Sequence, residues 1–388
     1  MGVSSTRVPF PLIVSSSLLL CVNSWLSGIS SFVYQTFASR RLGTDGRASP
    51  ADRRLAPLAA EEREMIRIGI SGWLYPAWRG TFYPKGLPQS AELAYASRTF
   101  NSIEINGTFY SLKSPDSFAA WRAGTPEDFV FAVKGARFIT HMKQLRDCET
   151  ALANFFAQGV LALGAKLGPI LWQLPARMPF NEERIERFLA LLPRDTMAAA
   201  QLARQRDRRI MAGRTLLAPA ASTPIRHALE VRHESFRDRR FIELLSRAGA
   251  ALVVSDAPDW PRFEEITADF LYLRLHGAHE LYSSGYDGAA LDLWNERIRR
   301  WAGEGQGSKN QRLRDVYVYF DNDAKVRAPP DALALAARLG VNPSMAGPGG
   351  RRFPLNLGLC DNRNFSHFPS GAITTIFPAE NFVTLHSL

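Results

Sequence analysis

Two glutamates stand where aliphatic residues are expected. Glu104 lies in "SIEINGTFYS" between Ile103 and Ile105, and Glu230 in "ALEVRHESF" between Leu229 and Val231. A carboxylate inside an apolar strand is costly unless it is paired, hydrated or coordinating something. Cations occupy comparable places: Lys134 closes "VFAVK", Arg232 closes "ALEVR", and Arg274 and His276 alternate with leucines in "LYLRLH". Such a set supports three chemistries. Glu104 and Glu230 together are an acid/base pair of the kind that hydrolyses glycosides. Glu104, Glu230, Asp256, His141, His233 and His276 are donors for a divalent metal, but no HxxH or HExxH spacing accompanies them and none is assigned as a ligand. Lys134, Arg232, Arg274 and His276 make an anion site, since bidentate arginine suits phosphate, and His276 is able to move a proton near neutral pH.

The elements that position these residues are readable from periodicity. Short apolar runs "IRIGIS", "SIEIN", "VFAVK", "PILWQL", "ALEVR", "ALVVS", "LYLRLH" and "VYVYF" alternate with helical patterns between Met65 and Gly340. Eight βα units in such a length predict an α/β fold of the TIM-barrel type, with no GxGxxG after the first strand to favour an open doubly wound sheet. The sixth-to-seventh connection has little room for a helix. One insertion, residues 194–226, precedes the fifth strand, with a helix predicted through "MAAAQLARQRDRR".

Strand parity then sorts the side chains. Ile103 and Ile105 oppose Glu104 and Asn106; Leu229 and Val231 oppose Glu230 and Arg232. Leu271, Leu273 and Leu275 oppose Tyr272, Arg274 and His276, and Ile66, Ile68 and Ile70 oppose Arg67, Gly69 and Ser71. The polar set points into the barrel and gathers at the C-terminal strand ends, joined there by Lys134 and Gln173. Active sites of barrels lie at that end. The competing interpretation is a structural ion-pair network inside the barrel. Trp73, Tyr75, Trp78, Phe109 and Tyr110 flank the set as a stacking platform or as loop packing. Asn322 and Asp323, after the eighth strand, bind ligand or cap the last helix.

The chain has 388 residues, of which 46% are hydrophobic and 22% charged, with net charge +10 and a pI near 9.8. This is the profile of a globular protein whose charge favours anionic small molecules or nucleic acid. Cys21, Cys148 and Cys360 form no CxxC pair, which argues against a disulfide framework or structural zinc and suits a reducing cytoplasm. Residues 1–64 and 341–388 lack the pattern of the middle and are expected to be poorly ordered extensions. The first is read as an appended or over-extended segment, with a targeting role as the alternative. Its apolar stretch, broken by serines, makes no stable membrane span.

Seven motifs in order, "GISGWLYPAWRGTFYP", "SIEINGTFY", "FAVKGARFITH", "LGPILWQLP", "ALEVRHESF", "YLRLHG" and "VYVYFDND", resemble the domain-of-unknown-function 72 (YecE-like) family. The resemblance implies a TIM barrel over residues 65–340 and no defined activity. Gly107 stands where the family usually has serine, and Asp321 where it commonly has asparagine. The expectation is an enzyme acting on a phosphorylated or sugar-like anionic substrate at the barrel mouth. Glu104, Glu230 and His276 are its catalytic candidates. Trp73, Tyr75, Asn106, Tyr110, Lys134, Gln173, Arg232, Arg274 and Asn322 are its substrate contacts. The alternative is a non-catalytic nucleic-acid-binding protein that uses the basic mouth and the insertion arginines.

Overall fold

The computed structural model describes residues 66–219, 221–303 and 314–341. The expectations for residues 1–64 and for the tail after Gly340, Val341 apart, lie outside the described residues. The strands are β1 (Ile66–Ser71), β2 (Ser102–Ile105), β3 (Val130–Lys134), β4 (Leu167–Gln173), β5 (His227–Glu230), β6 (Ala251–Leu252), β7 (Val254–Asp256), β8 (Phe270–Leu275) and β9 (Asp315–Phe320). They pair in parallel in the order β6-β5-β4-β3-β2-β1-β9-β8-β7. β6 and β7 are separated only by Val253, whose N–H donates to the Leu229 carbonyl at 2.9 Å. The two ends of the order are therefore one stretch of chain, and the sheet closes into a barrel. The eight anticipated strands are present, the sixth in two pieces.

Helices return the chain between strands: α1 (Glu92–Thr99), α2 (Gly107–Tyr110), α3 (Pro115–Ala123), α4 (Glu149–Ala157), α5 (Glu182–Leu191), α6 (Thr196–Ala203), α7 (Arg239–Ala248), α8 (Gly288–Ala302) and α9 (Ala328–Leu339). Their starts are set by side-chain caps: Ser114, Asn181, Asp195, Asp238 and Asp287 each accept from a first-turn N–H. No helix lies between β7 and β8, as the short connection requires. α6 differs from its expected length. It ends at Ala203 rather than continuing to Arg209, because Asn154 Oδ1 takes the Asp207 N–H and Asp207 Oδ1 takes those of Arg209 and Ile210. Those local bonds outcompete the helix and turn the buried Met211 into the core.

Parity divides the interior as the sequence implies. The outward aliphatics Ile68, Ile70, Ile103, Ile105, Leu229, Val231, Leu271, Leu273 and Leu275 join the helix-facing core. A second, separate cluster fills the barrel: Ala132, Leu171, Ala228, Ala251, Val253, Phe270, Tyr272, Tyr317 and Tyr319. Large tyrosines on β8 and β9 face small residues on β3, β5 and β6, so layers interdigitate without widening the barrel. Gly69 belongs to this fit, since a Cβ there would overlap the Ser102 carbonyl of β2. Above the plug, toward the strands' C-terminal ends, the interior becomes charged.

Alanine at Gly69 should lower the unfolding free energy by about 3 kcal/mol, through forced separation of β1 and β2. Urea denaturation of the full chain measures it, and an unchanged midpoint would remove the close-approach argument.

Candidate active site

Arg274, next to last in β8, is fully buried at the top of the aromatic plug. Its Nε donates to Glu104 Oε2 at 3.1 Å and its Nη2 to Glu104 Oε1 at 3.0 Å. Nη1 reaches Glu230 Oε2 at 2.7 Å, and Nη2 also reaches Asp321 Oδ2 at 2.7 Å. One guanidinium thus ties together β2, β5 and the residue after β9. Parity makes this possible: the register sets Ser71 beside Glu104 and Gln173 beside Glu230, all facing inward.

Glu104 is saturated. Besides Arg274 it accepts from Ser71 Oγ at 3.0 Å and Tyr272 Oη at 2.6 Å, so each of its oxygens takes two bonds. A carboxylate has about four acceptor sites, which leaves none for a substrate proton. Glu230 is held by Arg274 on one oxygen and by Arg232, Nε at 2.6 Å, on the other. Burial alone would raise its pKa, but Arg232, Arg274, His276 and Lys134 hold it well below the carboxylate range. Asp321 is similarly depressed: burial is outweighed by Arg274, His276 and Lys134. Glu230 and Asp321 therefore stay ionised at neutral pH, and all three carboxylates orient cations. The acid/base roles expected of Glu104 and Glu230 meet this obstacle.

His276 follows β8 and is fully buried. Its Nδ1 lies 3.1 Å from Asp321 Oδ2 and its Nε2 3.8 Å from Glu230 Oε1, but neither is aligned for a hydrogen bond. Burial is the main reason its pKa falls, with Arg274 adding to the effect. The rings of Trp260 and Tyr282 pack against it, at 5.1 Å and 5.6 Å between centroids. Trp260 also carries the Arg232 guanidinium, 3.5 Å above its ring.

Lys134 behaves differently. It ends β3, is 8% exposed, and its Nζ sits 4.5 Å from the centroid of Phe109. No hydrogen bond or ion pair joins its ammonium to another described residue. Burial and the Arg274 charge lower its pKa to about 8, against the opposing pull of Asp321, Glu104 and Glu230. On the adjoining strand β4, two residues beyond the Lys134 register partner Leu171, Gln173 Nε2 lies 3.5 Å from His141 Nε2, whose ring meets Phe109 edge-on. Burial, Arg232 and Lys134 bring the His141 pKa down to about 4, which keeps the ring neutral.

On the β1–β9 side, Tyr75 Oη donates to the Ser71 carbonyl at 2.5 Å and is coupled to Asp323 and Asn106. Burial and the neighbouring Asp321 charge raise the Asp323 pKa to about 6. Asn106 Oδ1 is buried with no partner among the described residues. Glu104, Glu230, Lys134, Arg232, Arg274 and His276 therefore converge, with Gln173 linked through His141, and Tyr75 and Asn106 at the adjoining edge.

Other expected contacts lie elsewhere. Trp73 packs in the outer core against Trp121 and Phe131, and Trp78 is buried there too. Tyr110 is the exception: 70% exposed on α2, it packs edge-on against Phe109, the ring beside Lys134 and His141. Asn322 is buried with Nδ2 bonded to Asp331 and to the Ser284 carbonyl, which anchors the start of α9 without occupying its cap position. His233 caps a short turn through Ser235. Among the described residues no group of three or more His, Cys, Asp or Glu is arranged to hold a metal ion. Asp321 is the main residue the motif search did not assign. Continuing the β9 alternation of Tyr317 and Tyr319 by one step would have placed it inward.

The comparisons bear on fold more than chemistry. A family model described as protein of unknown function DUF72 matches residues 67–351. The UPF0759 protein YecE of Escherichia coli K12 is 33% identical over 130 residues. That stretch is 33% of this chain and 45% of the relative, so the match spans less than half of the curated relative's length. A crystal structure of a DUF72 family protein from Thermotoga maritima is 25% identical with a TM-score of 0.56, covering 71% of this chain and 100% of that one. A second DUF72 structure, from Enterococcus faecalis, covers 71% of this chain and 96% of its own, at 17% identity and a TM-score of 0.52, a likeness of fold alone.

Replacing Arg274 with methionine leaves three carboxylates facing one another and should cost about 3–5 kcal/mol at neutral pH. Glu230 and Asp321 have depressed folded-state pKa values, so the stability they confer is present above the unfolded carboxylate pKa and lost as pH falls. The penalty in Arg274→Met should therefore shrink below about pH 4, where the freed carboxylates protonate. Denaturant titrations at both pH values test this; a penalty independent of pH contradicts an electrostatic hub.

Proposed function

The chain belongs to the DUF72 family, whose description carries no activity, and from the barrel mouth itself we propose an enzyme that acts on an anionic small molecule, phosphorylated or sugar-like. The observation that supports this reading is the uncommitted Lys134 ammonium beside a network in which every carboxylate is already engaged. Structural cations in protein interiors are paired, because an unpaired buried charge is costly. An arrangement that holds one cation without a partner is suited to an anionic group brought by a ligand. Arg232, braced between Glu230 and Trp260, and the Gln173 amide offer further donors.

In this reading Glu104 and Glu230 are positioning residues: they fix Arg274 and Arg232 and set the field around Lys134. Proton transfer falls instead to Asp323, since a carboxyl near pH 6 exchanges its proton readily at neutral pH. His276 lies beneath Trp260 and Tyr282 and acts through Asp321. The nucleic-acid alternative needs the insertion arginines to extend the mouth. Weighing against it, residues 194–226 connect the end of α5 to the start of β5, at the N-terminal strand ends opposite the mouth.

Lys134→Met should unfold at higher denaturant than the wild type at pH 7, because the folded-state pKa is lowered and charged Lys134 opposes folding. The advantage should narrow as pH rises from 8 toward the unfolded value of about 10.4. The same variant should lose calorimetric binding of inorganic phosphate and glucose 6-phosphate. Equal affinity in both proteins would sink the reading. Oligonucleotide binding that falls steeply with salt and is weakened by Arg208→Ala and Arg209→Ala would favour the alternative.

A further inference from the structure

Two lysines of the barrel are buried to the same degree and treated in opposite ways. Lys166 and Lys134 are each 8% exposed. Lys166 Nζ donates to the Arg122 carbonyl at 2.6 Å, the Thr125 carbonyl at 2.9 Å and Thr125 Oγ1 at 3.1 Å, which uses all three ammonium protons. Lys134 Nζ makes no hydrogen bond to any described residue. It lies over the face of Phe109, 4.5 Å from the ring centroid, a cation–π contact that leaves its N–H groups without acceptors among the described residues. A lysine kept only for its charge is expected to be tied like Lys166. One kept for its nitrogen needs the lone pair free and unobstructed.

We propose that Lys134 acts on the substrate covalently, as an amine that condenses with an aldehyde or ketone carbonyl to form a Schiff base. The inference rests on the reading of the mouth as an enzyme site and narrows its substrate class to carbonyl compounds carrying an anionic group, as open-chain sugar phosphates do. In the step, the neutral Nζ adds to the carbonyl carbon and gives a carbinolamine. The carbinolamine oxygen takes up protons and leaves as water while the C=N bond forms. Counted from the ammonium form of Lys134, the products are a protonated iminium and one water, so no net proton, oxidant or reductant is required.

The surroundings suit each stage. Groups facing Lys134 come from four elements: Glu104 on β2, Glu230 on β5, Arg274 on β8 and Asp321 after β9. Burial and Arg274 favour the free amine, and at neutral pH roughly two-hundredfold more of Lys134 than of an exposed lysine is in that form. The iminium carries the charge the ammonium had, so Glu104, Glu230 and Asp321 stabilise the product without moving. Placement at the end of β3, with Thr108 Oγ1 bonded to the Lys134 carbonyl at 2.7 Å, fixes the backbone that carries the nucleophile.

The full chain would be incubated with dihydroxyacetone phosphate, and separately with pyruvate, then reduced with sodium borohydride and analysed by intact-mass and peptide mass spectrometry. Phosphate binding would be followed in parallel by calorimetry. The expected result is one adduct per chain, on the peptide containing Lys134, and at least about tenfold less on Lys166, whose nitrogen is hydrogen-bonded. Lys134→Arg keeps a cation that cannot form an imine, so the adduct on that peptide should be lost. Phosphate binding without an adduct at Lys134 overturns the covalent role and leaves the anionic-substrate reading standing. Absence of both overturns both, and adducts spread evenly over surface lysines count against the covalent role.

Discussion

A single guanidinium, Arg274, holds three carboxylates from separate parts of the barrel in one place. Alone, each of those carboxylates would be forced out of its position by desolvation. Together with Arg274 and Arg232 they become a set of opposing charges in which each geometry depends on the others. The set also explains the tyrosines beneath. Tyr272 donates to Glu104, and Tyr319 of β9 shares a 2.7 Å hydrogen bond with Ser102 of β2, across the intervening β1. The polar layer thus rests on an aromatic layer whose hydroxyls reach up to it or across to β2.

This network separates groups that hold the site from groups still able to react. Glu104 has no acceptor capacity left, and Glu230 has an arginine on each oxygen. Lys134 and Asp323 lie at the edge of the network, and their proton affinities are displaced toward neutrality from opposite directions. An amine brought down and a carboxyl brought up in one mouth is a pattern associated with proton-transfer chemistry. It arises here from the same burial that makes the central ion pairs necessary.

Much of this was legible in the sequence because strands obey a period of two. Glu104, Tyr272, Arg274 and Glu230 were placed inward by alternation with aliphatics, and the structure puts them there. The helices were legible for a similar reason, as periodic apolar patterns between the strands. What alternation could not supply was partner identity: whether Glu104 is open to solvent or wrapped by an arginine depends on Arg274, 170 positions away. Trp73 illustrates the same limit, since an aromatic after a strand looks alike whether it turns to the mouth or to α3. The early stop of α6 was hidden because Asp207 and Asn154 intervene through side-chain bonds that no helical period records.

The insertion between α5 and β5 has a practical side. Its ends are fastened by the buried His227, which bonds the Pro193 carbonyl at 2.8 Å, and by the Asp195 to Pro224 bridge. Between them Gly213 is exposed, with open space around its Cβ direction. Sequence added at that turn would emerge from the base of the barrel while the anchors on either side hold the strands in register. A fluorophore, an affinity handle or a surface linkage could therefore be grafted there, orienting immobilised molecules with their mouths toward the solution.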